Sequence, residues 1–131
     1  MNAITNHNKP LSPIHKKALE IFTLSSQISK YLVQDLSPLQ SNGFEDPNIY
    51  FTGDIVQQSN SLVPEIVQAE SKVFSEERHQ HILSLSHLTN VLYKNCERLE
   101  RSNSNGKEFL PILRNELKKF KKLQHIWMLT L

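Results

Sequence analysis

The chain contains 131 residues, of which 38% are hydrophobic and 21% charged, and its formal net charge is +2. This length suits one domain with a core of its own, and three glycines and one cysteine argue against a turn-rich β fold, a glycine loop around phosphate and an internal disulfide. No apolar run approaches the ~20 residues of a membrane span, and the N-terminal residues lack a signal-peptide pattern. We therefore expect a cytoplasmic protein without membrane association.

The first predicted helix begins at Ser12-Pro13. Serine can cap a helix, and proline fits the first turn, where its missing N–H costs nothing. Ser41-Asn42-Gly43 predicts the end of this helix through a left-handed residue. Apolar residues recur between these signals at helical spacing. The predicted core positions are Ile14, Ala18, Ile21, Phe22, Ile28, Leu32, Leu36 and Leu39. Residues 1–11 are expected to be disordered, which leaves one domain over residues 12–131.

The second predicted helix opens at Asp46-Pro47 with the same kind of signal. An alternative start is Asp54, because the four residues from Ile49 have β propensity. Pro64 removes the hydrogen bond to the carbonyl of Asn60 and predicts a kink. The predicted core positions are Ile55, Ser59, Leu62, Val63, Ile66, Ala69 and Val73.

The third predicted helix starts near Ser75, whose hydroxyl is expected to cap it, and stops at the Ser/Asn/Gly run 102–106. Its apolar stripe is Ile82, Leu85, Leu88, Leu92, Cys96 and Leu99. The fourth helix is predicted from Lys107 to the C-terminus, with Pro111 tolerated in its first turn. Its stripe is Leu110, Leu113, Leu117, Phe120, Gln124, Trp127 and Leu131. Four amphipathic helices in this order predict an all-α, antiparallel up-down-up-down four-helix bundle with a kinked second helix.

The charge is divided unevenly along the chain. Residues 1–77 carry five Lys/Arg and nine Asp/Glu, a balance of −4, whereas residues 78–131 carry ten and four, a balance of +6. Helical spacing places basic residues on one face of each of the last two helices. Clustered cations of this kind attract the phosphate backbone of RNA or DNA. The predicted nucleic-acid-binding residues are Lys94, Arg98, Arg101, Arg114, Lys118, Lys121, Lys122 and His125. The alternative is a solvated face, partly neutralised by Glu97 and Glu100.

The last six residues are apolar on nearly all sides of a helix. Such an end has to be covered, either by loops of the same chain or by another subunit. The second reading predicts a homo-oligomer with Trp127, Met128 and Leu131 at its interface. It also supports an alternative function, in which the chain is a protein–protein interaction or assembly module with no nucleic-acid role.

Residues capable of chemistry do not form a recognisable catalytic motif. Glu77 and His81 supply only two metal ligands from one helix, and Glu76–His79 is the only Glu-x-x-His pair in register. Cys96 lies in an apolar stripe and is expected to be a small buried hydrophobe. We expect no enzymatic activity, no metal and no cofactor.

Two segments carry a family resemblance. They are residues 15–22 (HKKALEIF) and residues 61–70 (SLVPEIVQAE), followed by a leucine-rich third helix and a basic, Trp-containing end from Leu117 to Leu131. In this order they resemble the small bacterial four-helix-bundle proteins encoded in intervening sequences of large ribosomal RNA genes, and the related accessory proteins of diversity-generating retroelements. The chain departs from their usual residues at Ile66 and at 68–70. The resemblance implies a ring of five subunits, a basic surface for nucleic acid or a protein partner, and no established enzymatic activity.

Overall fold

The computed structural model describes residues 11–131. Of the segment 1–11 that was predicted to be disordered, only Leu11 falls in this range, and the other ten residues lie outside it. Between residues 11 and 131 every regular element is helical. The elements are α1 (Pro13–Leu36), α2 (Ile49–Asn60), α3 (Leu62–Ser71), α4 (Ser75–Leu99), a short 3-10 helix (Asn105–Phe109) and α5 (Leu110–Met128).

The helices form a four-helix bundle. We call each of its four helical segments an arm, and α2 and α3 together make the second arm. α1 packs against this arm and against α5, and α4 packs against the same two neighbours. Adjacent arms run antiparallel: along the α1–α2 contact, Ser29 bonds to the carbonyl of Thr52, and Ser25 meets Ser59 further toward the start of α1. The predicted four-helix bundle is confirmed.

The second arm is bent where it was predicted to be. α2 ends at Asn60, Ser61 is a turn residue, and α3 begins at Leu62. Pro64 lies in the first turn of α3 and has no N–H to donate to the carbonyl of Asn60, so the hydrogen-bond ladder is interrupted there. The arm begins at Ile49, between the two predicted starts.

The predicted apolar stripes form one continuous core, from which three predicted apolar residues are absent, namely Phe22, Leu39 and Val73. Leu39 is 63% exposed and Val73 is 85% exposed, so their assignment to the core was wrong. α1 ends at Leu36 because Pro38 lacks the N–H that would continue the helix. Val73 lies in the connection between α3 and α4. Val63, Leu88 and Leu131 are partly buried and pack against this core, whereas Phe22 is partly buried outside it.

Two helix starts also differ from the prediction. Ser75 is the first residue of α4 and not its cap, because Phe74 occupies the capping position and makes no side-chain cap hydrogen bond. The fourth arm opens with the 3-10 helix instead of an α-helix. Its first turn is held by Asp35 at the end of α1, whose carboxylate accepts hydrogen bonds from Ser104 Oγ at 2.6 Å and from Gly106 N at 3.2 Å.

Candidate nucleic-acid interface

The last two helices of the bundle lie side by side and antiparallel. Arg114, near the start of α5, contacts Glu100 at the end of α4. Ten residues further along, Gln124 Nε2 donates to Ser86 Oγ at 2.7 Å, at the middle of α4. The basic end of α4 therefore lies beside the start of α5, and the basic residues of both helices border one surface.

Six of the predicted residues are exposed on α4, just after its end or on α5, and define what we call the α4–α5 basic face. They are Lys94, Arg101, Lys118, Lys121, Lys122 and His125. Between residues 11 and 131, none of these six side chains forms an ion pair with a carboxylate. The charges of the five lysine and arginine side chains are therefore available to an anionic ligand.

Arg98 is exposed but turns away from α5. Its guanidinium carbon lies 4.1 Å from the centre of the Phe51 ring on α2, a stacked cation–π contact. Arg98 therefore borders the second arm of the bundle, at the edge of the α4–α5 basic face.

Arg114 is held by an acidic partner. Its Nε donates to Glu100 Oε1 at 2.8 Å, and its Nη1 donates to Tyr93 Oη at 3.3 Å. The hydrogen bond to Tyr93, followed by that to Glu100, raises the pKa of Arg114 above its ordinary value. Arg114 was predicted to bind nucleic acid, but in the structure its guanidinium joins α4 to α5 and its charge is already compensated.

Tyr93 is a component of this surface that sequence reasoning missed. The Lys121 ammonium lies 5.1 Å from the centre of its ring, and the Arg114 guanidinium lies 5.8 Å from it. The Tyr93 ring thus makes cation–π contacts with two basic residues of α5. Only its position beside α5, more than twenty residues away in sequence, reveals this role.

A shallow groove of about 250 Å³ runs between α4 and α5 toward the C-terminal end of α5. We call it the α4–α5 groove. It is lined by Ser86, Thr89, Asn90, Lys121, Gln124, His125 and Met128. Gln124 was predicted from the heptad pattern as a core position, and it is only 5% exposed. The groove therefore combines a buried amide at its base with two basic side chains that belong to the α4–α5 basic face.

The residues weighed for metal binding do not assemble a site within the described range. Residues 11–131 contain no group of three or more His, Cys, Asp or Glu side chains placed to hold an ion. His81 Nδ1 lies 2.7 Å from Glu65 Oε2 on α3, and Glu77 is exposed on α4. This histidine–glutamate pair links α3 to α4.

Cys96 is fully buried in the core, as predicted. Burial raises the pKa of its thiol to about 12, and the negative charge of Glu100 acts in the same direction. The thiol is therefore protonated near neutral pH, and a protonated, buried thiol is a poor nucleophile.

The apolar C-terminal end is covered only in part by its own chain. Trp127 is 6% exposed, and its Nε1 donates to Glu70 Oε2 at 3.1 Å across the end of the bundle. Of the other two predicted interface residues, Met128 lines the α4–α5 groove and Leu131 is partly buried. The most exposed large apolar side chains at this C-terminal end are instead those of Ile126, at 60%, and Leu129, at 78%.

No protein-family model, curated protein or solved structure matches the chain. Within residues 11–131, no helix has both the length and the apolar character needed to cross a bilayer. Function has to be inferred from the geometry of the bundle and its charged surface.

Proposed function

We propose that this protein is a non-enzymatic four-helix bundle that binds RNA or DNA through the α4–α5 basic face. One observation carries the proposal: six exposed basic side chains lie on α5, on α4 or just after the end of α4, and none of them is paired with a carboxylate of residues 11–131. A row of uncompensated cations retains counterions that a polyphosphate can displace, which favours binding. A cytoplasmic location is part of this proposal.

The acidic residues on the same side of the bundle support this reading over a merely solvated face. Glu100 is 20% exposed at its side chain and is bonded to Arg114, so it is not free to neutralise the lysines. Glu97 is the other acidic residue in the second half of α4. At this end of α4, Glu97 is therefore the carboxylate set against the exposed Lys94 and Arg101, and the local balance there stays positive.

Charge reversal provides the test. The double variant Lys118→Glu, Lys122→Glu changes two exposed residues of the face. We expect its affinity for a labelled RNA or DNA oligonucleotide to fall by at least tenfold at low salt. The slope of log affinity against log salt should decrease by about 2, because roughly 0.9 of a counterion is released per phosphate contact.

The control is the double variant Lys16→Glu, Lys30→Glu. It makes the same change in net charge at two exposed residues of α1, a helix that does not neighbour α4 in the bundle. We expect this variant to bind nearly as well as the unaltered chain. If the two variants lose affinity equally, net charge explains the binding and the proposed face is wrong.

Self-association through the apolar end of the bundle is a second candidate function. Ile126 is exposed on α5, Leu129 is exposed directly after its last residue, and Phe74, 71% exposed, follows α3 at the same end. Exposed apolar groups in one region are typical of contact surfaces. Supported by this patch, we propose a second copy of the chain as the partner. The ring of five implied by the family resemblance is one such assembly.

Mass in solution tests this second candidate. We expect sedimentation equilibrium to give a multiple of the chain mass, and the variant Ile126→Ser, Leu129→Ser to shift it toward the monomer. The control variant Leu39→Ser, Phe44→Ser removes two exposed apolar residues that follow α1 and should leave the mass unchanged. A monomeric mass for the unaltered chain would exclude self-association.

A further inference from the structure

Two amide side chains of the α4–α5 groove carry hydrogen-bonding groups that have no partner among residues 11–131. At its base, Gln124 donates one amide hydrogen to Ser86 Oγ. Its Oε1 accepts no hydrogen bond from any side chain or backbone group of residues 11–131, although it is not among the atoms sealed from solvent there. Asn90 is exposed at the wall of the groove. An amide carries a donor and an acceptor side by side, which is the pattern that the edge of a nucleobase matches.

The residues of α5 that line the α4–α5 groove add basic side chains and a thioether to these amides. Lys121 and His125 are one turn apart on α5 and line the groove as cationic or hydrogen-bonding groups. Met128, the next lining residue along α5, contributes a thioether, and thioethers make favourable contacts with aromatic rings. Phosphate-binding, amide and apolar groups therefore converge within one groove.

The size of the groove limits what it can hold. Its volume of about 250 Å³ is slightly below the ~300–1,000 Å³ typical of pockets for drug-sized ligands. This is room for one planar group and not for several successive nucleotides. In a duplex the pairing edges of the bases are closed, whereas an unpaired base can leave its stack and enter a pocket.

We infer that the α4–α5 groove binds a single unpaired nucleobase, which Asn90 and Gln124 contact at its edge, with the adjoining phosphate on Lys121 and His125. This inference rests on the proposed nucleic-acid function and adds to it a preference for single strands. The base provides hydrogen bonds and a contact with Met128 that a bare sugar–phosphate chain does not.

Three probes separate base binding from phosphate binding in the full chain. They are a fluorescent oligodeoxyadenylate, the same strand paired with oligothymidylate, and an abasic strand with the same number of phosphates. Adenine is chosen because Asn and Gln side chains pair well with its edge. At equal salt we expect the single strand to bind at least about tenfold more tightly than the abasic strand, with the duplex also weaker than the single strand.

The variant Asn90→Ala tests the groove itself. We expect it to weaken binding of oligodeoxyadenylate about tenfold, the loss of one amide–base contact, and to leave the abasic strand and the duplex unchanged. Asn115→Ala is the matched control, because Asn115 is also an exposed helical asparagine but lies outside the groove. It should leave all three affinities unchanged. Thermal unfolding of both variants verifies that each one folds.

The outcomes distinguish this inference from the proposed function. Equal affinity for oligodeoxyadenylate and the abasic strand, or equal effects of the two asparagine variants, would overturn the base-binding groove. The proposed function would survive that result if Lys118→Glu, Lys122→Glu still weakened binding of every probe. If that charge reversal has no effect on any probe, the proposed function itself fails.

Discussion

The basic residues on the two flanks of α5 differ in whether a carboxylate pairs with them. On the flank that faces α1, Lys119 lies 3.3 Å from Glu116, and the Lys17 ammonium of α1 lies 2.8 Å from the same carboxylate. On the flank that faces α4, Lys118 and Lys121 have no carboxylate partner among residues 11–131. On one flank of α5 the charged side chains are paired with each other or with α1. On the other flank they are available to a ligand.

The difference teaches that basic composition alone does not identify a binding surface. Arg114 and Lys118 are one helical turn apart and belong to the same predicted stripe, yet only Arg114 is paired, with Glu100 of α4. A lysine or arginine contributes to nucleic-acid binding when no nearby carboxylate already compensates it. Four variants break or sharpen this comparison, in order of decreasing effect on stability.

The largest loss of stability is expected for a substitution where α5 packs into the core. Phe120 is fully buried and lies between Lys119 and Lys121 in sequence, so it sets the direction in which both flanks point. Phe120→Ala should lower the free energy of unfolding by about 3–5 kcal/mol, because it deletes a buried ring and leaves a cavity. Urea denaturation measures the loss. Leu129→Ala, at a position 78% exposed, should change it by less than about 0.5 kcal/mol.

Arg114→Ala tests whether this residue belongs to the packing or to the ligand surface. We expect a loss of about 1 kcal/mol in the free energy of unfolding, because Glu100 is left partly buried without its cation. The salt dependence of oligonucleotide binding should stay nearly unchanged. A large drop in the salt slope with unaltered stability would assign Arg114 to the binding surface after all.

The flank facing α1 should show its pairing as a dependence of stability on pH. The hydrogen bond from Lys17 holds the pKa of Glu116 below its ordinary value of 4.5. The folded state therefore binds this proton less readily than the unfolded state. The resulting stabilisation is present above about pH 4.5 and is lost as the pH falls through the lower, folded-state pKa.

Glu116→Gln should remove this contribution. At neutral pH we expect a loss of at most about 1 kcal/mol, since the ion pairs of Glu116 are partly exposed. Thermal unfolding followed between neutral pH and pH 3 should show a smaller decline for the variant than for the unaltered chain. Parallel curves for the two proteins would mean that the pairing with Lys17 does not contribute to stability.

The smallest effect on stability is expected at Lys118. Lys118→Ala should change the free energy of unfolding by less than about 0.5 kcal/mol, because the residue is exposed and unpaired within residues 11–131. The salt slope of oligonucleotide binding should nevertheless fall by about 1. Lys118→Ala should thus change binding more than stability, whereas Arg114→Ala should change stability more than binding. This contrast separates residues that pair within the bundle from residues that bind a ligand.

Local signals were sufficient to predict most of the fold. Pro13 and Pro64 act on the hydrogen bonds of their own turns, so the start of α1 and the bend after α2 follow from nearby residues. The start of the fourth arm differs from the prediction, because the helix expected from Lys107 is a 3-10 helix up to Phe109 and α-helical only from Leu110. The same reasoning was wrong at Leu39, because the effect of Pro38 in ending α1 was overlooked. It was also wrong at Val73, because helical spacing was extended beyond the end of α3.

For the candidate site, the sequence predicted which basic residues are exposed but not which contacts they make. The spacing of Lys118, Lys121 and Lys122 places them outside the apolar stripe of α5, and all three are exposed. Nothing near Arg114 in sequence indicates that Glu100 and Tyr93 lie against it. Likewise, the heptad pattern gives Gln124 a core position but does not reveal the groove above it. These contacts join residues on different helices, and helical periodicity carries no information about them.

By itself, the amino-acid sequence determined four amphipathic arms, the bend in the second and an excess of basic residues in the last two, because each depends on interactions within a few turns of one helix. Only the tertiary structure decided which cations are compensated and where two helices leave an open groove. Charge compensation acts over a few ångströms in space, and the bundle brings Lys17 to Glu116, ninety-nine residues apart, within hydrogen-bonding distance.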